Sequence, residues 1–247
     1  MMEKDIKDIV KKHYGEIADS STGCCSCSCG NDSSTQIAKS IGYSDSEISS
    51  VSEANLGLGC GNPTAMAVIK EGDIVLDLGS GAGFDCFLAA RKTGKSGSVI
   101  GVDFSPKMII KAEENLKKYD LKNIQFKLGD IEDLPIDDES IDIVISNCVI
   151  NLAPDKEKVF KEISRVLKES GSGYISDIVL LEELSEEQKN NDELLSGCVA
   201  GALLKDDYLD IIKNSGLSVE ILSEDRDISK RQYDGIALES LKIRVFK

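Results

Sequence analysis

The chain has 247 residues, a length that predicts one α/β domain with an appendage rather than two full-sized domains. Hydrophobic residues make up 41% of it, but no run of about 18 apolar residues predicts a membrane span, and the charged segment Met1–Lys12 lacks the apolar core of a secretory signal. With 29 basic and 44 acidic residues the net charge is −15, which argues against a nucleic-acid partner, because phosphate binding needs clustered Lys and Arg. We therefore expect a cytoplasmic protein that binds neither nucleic acid nor membrane.

Before residue 72 the pattern predicts short helices separated by loops. Ile6, Ile9 and Val10 stand at helical spacing near the start of the chain. The predicted elements are a helix over residues 3–18 with Gly15 as its stop, a loop rich in Ser, Gly and Cys to about Thr35, a helix within 36–50, a glycine-rich loop over Asn55–Pro63 and a helix from Pro63 to Ile69.

From residue 72 strands and helices alternate, and the strands are almost continuously apolar. This pattern is typical of a parallel sheet covered on both faces by helices. The predicted elements are strand Ile74–Leu78, helix Phe84–Lys92, strand Ser98–Asp103, helix Pro106–Tyr119, strand Ile124–Leu128, strand Ile141–Ser146, helix Asp155–Leu167 and strand Gly173–Ile178, with a loop at Gly171–Gly173.

Beyond residue 180 an acidic stretch predicts a solvated helical excursion. A further helix is predicted over Asp206–Gly216, and the alternating residues 238–247 predict a closing strand. We therefore divide the chain into an N-terminal segment over residues 1–71, a core over residues 72–180 and a C-terminal, sheet-completing region over residues 181–247.

A glycine-rich turn follows the first strand of the core, with Gly79, Gly81 and Gly83 at alternate positions. Such glycines let the backbone pass close to a bound cofactor without a Cβ in the way. A GxGxG turn by itself also suits a nicotinamide cofactor. The two possibilities are separated by the acidic residues near the turn.

Three acidic residues lie at the carboxyl ends of predicted strands, the edge where open α/β sheets bind ligands. Asp77 precedes Gly79 by two residues, where a carboxylate suits an amino-acid-like cationic group. Asp103 follows Gly83 by 20 residues, a spacing suited to a ribose diol, and Asp130 ends the third strand. Over residues 72–178 this set resembles the class I S-adenosylmethionine-dependent methyltransferases. The resemblance implies further cofactor contacts at Phe104, Met108, Ile131 and Asn147.

Eight cysteines accompany a single histidine, His13. In a reducing compartment, clustered thiols indicate metal binding or redox chemistry rather than structural disulfides. Four cysteines form a cluster between positions 24 and 29, and the other four are scattered along the chain. Because scattered cysteines are usually buried small hydrophobes, we interpret Cys86 as a packing residue. With so little histidine for general-base work, the chain suits a nucleophile that brings its own lone pair.

At the thiols the resemblance becomes closer. The segments VKKHYGEIA, CCSCSCG, NLGLGCGNP, SNCVINLAPDK and GCVAGAL are similar to those of the arsenite S-adenosylmethionine methyltransferases, over nearly the whole chain. This implies that Cys60, Cys148 and Cys198 are the thiolates that bind As(III). It also implies that the N-terminal cluster of Cys24, Cys25, Cys27 and Cys29 takes part in arsenic capture or redox exchange, with Cys29 among the catalytic candidates.

The resemblance implies a Rossmann-like, doubly wound α/β sheet with an N-terminal cysteine-rich segment and a C-terminal α+β excursion. It also implies methylation of arsenite to methylated arsenicals for detoxification. The lone pair of thiolate-bound arsenic would attack the methyl group of the sulfonium, and thioredoxin or glutathione would serve as the thiol reductant.

Three alternatives stay open. A quinone- or sterol-type methyltransferase would share residues 72–178 without needing Cys60 and Cys198. A thiol-rich module would bind a metalloid without turnover. In the N-terminal cluster, Cys24-x-x-Cys27 resembles half of a zinc site, although no second pair follows at the usual spacing.

Overall fold

One seven-stranded sheet carries the site. The computed structural model describes residues 3–19 and 31–247, and of residues 3–5 and 31–33 only the backbone is described. The strands are β1 (Ile74–Leu78), β2 (Ser98–Asp103), β3 (Ile124–Leu128), β4 (Ile141–Asn147), β5 (Leu167–Leu180), β6 (Ser218–Asp225) and β7 (Leu238–Phe246).

The strand order is β3-β2-β1-β4-β5-β7-β6. The neighbouring pairs from β3 to β5 are parallel, whereas β7 pairs antiparallel with both β5 and β6. The winding reverses between β1 and β4, and ligands of open α/β sheets bind at such a switch point. The predicted doubly wound fold is confirmed, with an antiparallel edge that the C-terminal region supplies.

Eleven α-helices of the described residues surround this sheet. They are α1 (Glu3–Asp19), α2 (Asn31–Ser40), α3 (Asp45–Ser50), α4 (Pro63–Met66), α5 (Phe84–Thr93), α6 (Pro106–Leu116), α7 (Lys156–Val166), α8 (Glu186–Lys189), α9 (Asp192–Ser196), α10 (Lys205–Asn214) and α11 (Ile228–Gln232). Short 3₁₀ turns lie at Ser52–Ala54 and Ile150–Leu152.

The helices before the core differ from prediction in their ends. Helix α1 runs through Gly15, which is a packing residue and not a stop: a Cβ there would lie 3.3 Å from the Cδ of Lys107 on α6. The single helix expected in residues 36–50 is two, because Ser44 and Glu47 form a capping box that starts α3 afresh. Helix α4 ends at Met66 rather than Ile69, since the backbone turns extended at Ala67.

Two strands of the C-terminal half were missed or shortened. The Gly171–Gly173 stretch, predicted as a loop, lies inside β5, where a Cβ on Gly173 would come within 2.7 Å of Val245. These glycines therefore allow β7 to pack closely. Strand β6 was not predicted because it is an exposed edge strand and lacks the apolar alternation of a half-buried one.

The core consists of two large apolar clusters. Helix α5 contributes side chains to one of them, and the amphipathic helix α7 contributes to the other. Phe87 of α5 and Phe160 of α7 are fully buried. Within the described part of the chain, no helix combines the length and the apolar character needed to cross a bilayer. The two apolar clusters hold the sheet, and loops lie at the carboxyl ends of its parallel strands.

Candidate active site

A cavity of about 680 Å³ lies at the carboxyl ends of β1 and β4, where the winding of the sheet reverses. Its wall combines the turn after β1, the end of β2, the end of β4 and segments from α1 and the C-terminal region. The predicted site residues that line it are Asp77, Gly79, Gly81, Asp103, Phe104, Asn147, Cys148 and Cys198. Loops from distant parts of the sequence therefore converge on one pocket, as expected for a ligand site on a rigid sheet.

All three glycines of the turn after β1 have positive φ angles. Gly79 (φ 66°) has no room for a side chain, because a Cβ there would lie 2.4 Å from Cγ2 of Val149. Gly81 (φ 51°) differs, since a Cβ there would meet no atom within 4 Å and would enter open space at the cavity wall. The amides of Gly79 and Ser80 both donate to the carbonyl of Val102, which fastens the turn to β2. Gly83 starts α5 and does not line the cavity.

The carboxylate of Asp103 braces the same turn. Its Oδ2 accepts a hydrogen bond from the amide of Gly81 at 2.9 Å, and its Oδ1 accepts one from the amide of Ser105 at 2.8 Å. Burial raises the pKa of Asp103, and these two backbone donors act in the opposite direction. The group therefore holds the end of β2 and the turn after β1 together beside the cavity.

Asp77 is 3% exposed, and it lines the cavity together with a second buried carboxylate, Asp85. Burial, and then the nearby charge of Asp85, raises the pKa of Asp77 well above its ordinary value. The thiol of Cys86 donates to Oδ2 of Asp77 at 3.1 Å. Cys86 is fully buried, as its predicted packing role requires, and it also holds this carboxylate in place.

Asp85 and Tyr43 line the cavity and were missed in the sequence. The hydroxyl of Tyr43 donates to the two oxygens of Asp85 at 2.8 and 3.0 Å. Burial raises the pKa of Asp85 to about 6, against the stabilising hydrogen bonds from Tyr43 and Asn147. Asp85 had a local signal, an acid in the first turn after a glycine loop, whereas Tyr43 lies 42 residues away with none.

Asp130 and Ile131 lie beside a smaller cavity of about 30 Å³ that shares Gly79 and Phe104 with the large one. The ammonium of Lys7, on α1, donates to Oδ2 of Asp130 at 2.8 Å and to Oε2 of Glu132 at 2.5 Å. Helix α1 is therefore fastened over this end of the site by a pair of charges that no sequence pattern indicated.

Met108 is not brought together with the other predicted cofactor residues. It is 1% exposed, packs in a small cluster with Ile17 and Ala18 of α1, and lines neither cavity. Its position supports the packing of α1 on α6. His13 does line the large cavity, where burial lowers its pKa.

The residues of this site fit S-adenosylmethionine. The buried carboxylates of Asp77 and Asp85 suit the cationic end of the cofactor, and the open space beside Gly81 leaves room for the cofactor next to the turn. Asp103, at the end of β2, lines the cavity and suits the ribose end of the cofactor.

Cys148 and Cys198 meet at the side of the cavity nearest β4. The thiol of Cys198 donates to the carbonyl oxygen of Cys148 at 2.8 Å. Both have positive φ angles, 56° for Cys148 and 66° for Cys198, a conformation that side chains rarely adopt and that concentrates at functional sites. Burial raises the pKa of the Cys148 thiol, and so do its hydrogen-bonding contacts with the thiols of Cys198 and Cys60. The three thiols are therefore neighbours.

Cys60, unlike Cys148 and Cys198, lies outside the cavity lining. Its side chain is buried, does not line the cavity, and has its sulfur 3.7 Å from the hydroxyl of Ser176 on β5. Within residues 3–19 and 31–247, no group of three or more His, Cys, Asp or Glu side chains is arranged to hold a metal ion. The candidate Cys29 and its neighbours Cys24, Cys25 and Cys27 lie outside the described residues.

Residues 69–216 match a family model described as a methyltransferase domain. Together with the strand order, the glycine turn and the acidic residues around it, this match defines an S-adenosylmethionine-dependent methyltransferase.

Similarity to individual proteins identifies the family within this class. The arsenite methyltransferase of Halobacterium salinarum is 43% identical over 235 residues, which cover 90% of this chain and 60% of that protein. That of Aquipseudomonas alcaligenes is 38% identical, over 69% of this chain and 51% of its own length. The crystal structure of CrArsM, an arsenic(III) S-adenosylmethionine methyltransferase from Chlamydomonas reinhardtii, is 32% identical with a TM-score of 0.67, covering 85% of this chain and 73% of that one. The chain belongs to the arsenite methyltransferase family, and it spans 60% and 51% of the lengths of its two curated relatives named here.

Proposed function

We propose that this protein transfers the methyl group of S-adenosylmethionine to trivalent arsenic held by the thiolates of Cys60, Cys148 and Cys198. The observation that carries the proposal is that Cys148 and Cys198 line the same cavity as the glycine turn after β1. A soft thiophilic element bound there would lie beside the methyl donor. The relatives named as arsenite methyltransferases support the same substrate.

Binding is a condensation in which atoms and charge balance. Arsenous acid, As(OH)₃, and three thiols give one arsenic with three As–S bonds and three waters, so no net charge enters the buried site. The sulfur of Cys60 lies 3.7 Å from the hydroxyl of Ser176, so in the proposed complex its side chain turns from Ser176 toward Cys148 and Cys198 to make the third bond.

S-Adenosylmethionine supplies an electrophilic methyl group on a sulfonium. Arsenic bound by three thiolates keeps its lone pair, which forms the As–C bond while the C–S bond to the sulfonium breaks. The protein's contribution is positional: Asp77, Asp85 and Asp103 fix the donor, and the strand end after β4 fixes the acceptor. No general base is required, because the lone pair on arsenic carries no proton to be removed.

Methyl transfer oxidises arsenic formally from the trivalent to the pentavalent state. Two of the thiolates then leave as a disulfide, which returns two electrons to arsenic. Water supplies a hydroxide ligand in their place and releases a proton, which gives a neutral trivalent methylated product still bound to the third cysteine. Thioredoxin, a dithiol, or two molecules of the monothiol glutathione then restore the two protein thiols by exchange and are themselves oxidised to a disulfide. The N-terminal cluster, Cys29 in particular, is proposed to take part in this exchange or in arsenic capture. The need for reduced thiols is consistent with a cytoplasmic location and with detoxification as the purpose.

The test is turnover of thiol variants. Cys148→Ser and Cys198→Ser should form no methylated arsenic from arsenite, S-adenosylmethionine and a thiol reductant, and should still bind S-adenosylhomocysteine in a calorimeter. Ser146→Ala is the matched control: its hydroxyl is buried in β4 two residues before Cys148 and has no hydrogen-bond partner in the described chain. That variant should keep full turnover.

Full turnover by either cysteine variant contradicts the three-thiolate site. Absence of product from the unmodified protein, with the cofactor shown to bind, favours a quinone- or sterol-type substrate instead. Tight arsenite binding without product under the same conditions favours a metalloid-binding module.

A further inference from the structure

The amide side chain of Asn147 lies flat against the peptide that carries Cys60. Its Oδ1 accepts hydrogen bonds from the amides of Cys60 at 3.0 Å and of Gly61 at 3.3 Å. Its Nδ2 donates to the carbonyl of Gly61 at 2.8 Å. This two-sided pairing resembles a short piece of strand pairing, with a side chain in place of the second strand. It fixes the backbone of Cys60 in both position and orientation.

The loop around Cys60 is shaped to fit this side chain. A Cβ on Gly59 would lie 2.7 Å from Oδ1 of Asn147, and a Cβ on Gly61 would lie 2.0 Å from the hydroxyl of Ser176. On the opposite side, Ser240 donates to the carbonyl of Cys60 at 2.8 Å. Gly59 therefore lets the backbone of the loop approach Asn147, and Gly61 lets it approach Ser176 on β5.

Asn147 also connects this loop to the cofactor cavity. Its Nδ2 lies 3.1 Å from the hydroxyl of Tyr43 and 3.5 Å from Oδ2 of Asp85. Tyr43 in turn donates to Asp85, which faces the cavity. A continuous hydrogen-bonded chain thus runs from a carboxylate of the cofactor site to the backbone of Cys60.

Asn147 directly precedes Cys148 in the sequence, so its contacts with the loop of Cys60 link the two thiols. Asn147 ends β4 and is directly followed by Cys148, whose amide is fastened to the carbonyl of Ser176 on β5 at 2.8 Å. One strand end therefore carries one thiol covalently and grips the loop of another through its side chain. We propose that Asn147 is the positioning residue that sets Cys60 against Cys148, with Tyr43 tying that spacing to the cofactor cavity. The inference rests on the proposed function, since it concerns the thiols of that site.

The first measurement needs no arsenic. Cys60 is 1% exposed, so its labelling by N-ethylmaleimide, followed by peptide mass spectrometry, reports how firmly the loop is held. Asn147→Ala should increase the rate of Cys60 labelling at least about tenfold, because three backbone hydrogen bonds of the loop are lost. Asn123→Ala is the matched control: its amide also donates to backbone carbonyls, those of Ala90 and Gly94, but it lies outside the cavity wall. The control should leave the labelling of Cys60 unchanged.

The second measurement is a double-mutant cycle on arsenite affinity. Asn147→Ala should weaken arsenite binding as much as Cys60→Ser does, and should have no further effect in the Cys60→Ser background, because both changes remove the same contact. Phenylarsine oxide, which bonds to only two sulfurs, should still bind Asn147→Ala through Cys148 and Cys198. The proposal also predicts that bound S-adenosylhomocysteine raises the arsenite affinity of the unmodified protein, and that Tyr43→Phe keeps the affinity for arsenite alone but loses this gain.

The outcomes separate the two proposals. Unchanged labelling of Cys60 in Asn147→Ala overturns the positioning role, whatever binds to the thiols. Additive losses in the cycle, or equal loss of phenylarsine oxide binding, also overturn it. If Cys60→Ser binds arsenite normally, the three-thiolate function fails, while the labelling result still decides whether Asn147 positions the loop.

Discussion

The two glycines Gly81 and Gly216 offer a direct test of where the cofactor binds. Both have positive φ, 51° and 82°, and at both a Cβ would meet no atom within 4 Å. They differ in place: Gly81 lines the large cavity, whereas Gly216 follows α10 at the surface. Replacing either by alanine imposes a left-handed conformation on a residue with a Cβ, which costs about 1 kcal/mol of unfolding free energy.

The two substitutions should therefore cost similar stability and differ in binding. Urea denaturation should give a loss of about 1 kcal/mol for both Gly81→Ala and Gly216→Ala. In Gly81→Ala the new methyl group also projects into the space that the cofactor needs, so S-adenosylhomocysteine should bind at least about tenfold more weakly, which is about 1.4 kcal/mol. Gly216→Ala should bind it normally.

Titration calorimetry with S-adenosylhomocysteine decides the matter. Binding by Gly81→Ala as tight as that of the unmodified protein would refute the assignment of this turn to the cofactor. Equal weakening in both variants would also contradict it, because the loss would then follow from general destabilisation and not from the position of Gly81.

Two further predictions concern charged side chains. Lys7→Met should lower the unfolding free energy by about 1–2 kcal/mol, because it leaves the nearly inaccessible Glu132 without its cation. Lys107→Met should change the unfolding free energy by less than about 0.5 kcal/mol, since its partner Asp19 is well exposed, and equal losses in urea denaturation would contradict this difference. Burial raises the pKa of Asp177 to about 7, so between pH 4 and 7 the folded protein keeps a proton that the unfolded chain has lost. Its contribution to stability is therefore present below about pH 4 and falls as pH rises through 7, by at most about 1.4 kcal/mol per pH unit, and Asp177→Asn should flatten that slope; an unchanged slope in pH-dependent unfolding would count against it.

The cofactor side of the site could be predicted because its signals are local. The turn from Gly79 to Gly83 follows a buried strand directly, and Asp77 and Asp103 stand at fixed offsets from it. A parallel sheet brings successive strand ends to one edge, so sequence order alone predicts which residues meet. Asp77, Asp103 and Asn147 do line one cavity.

The contacts that complete the site depend on distant segments. Tyr43 reaches Asp85 from the turn between α2 and α3, and Lys7 reaches Asp130 across 123 residues. Periodicity describes which face of an element is apolar, but it does not say which charged residue lies on a neighbouring element. For the same reason Gly15 was interpreted as a helix stop, although its role is to let α1 approach Lys107.

The thiols lie between these cases. Composition indicated thiol chemistry, but only the resemblance to a family selected Cys60, Cys148 and Cys198 from the eight cysteines. The three are neighbours, with Cys60 turned toward Ser176. A sequence pattern does not specify such a side-chain rotation, because the rotation depends on packing against β5.

The central claim is that this cavity joins a methyl donor to arsenic held by thiolates. The most direct measurement incubates the protein with arsenite, radiolabelled S-adenosylmethionine and a thiol reductant, then separates arsenic species and follows the label. We expect labelled methylated arsenic from the unmodified protein and none from Cys148→Ser, whose cofactor affinity should be intact. Label transferred to arsenic at an undiminished rate in Cys148→Ser, or no labelled arsenic from the unmodified protein with bound cofactor, would contradict it.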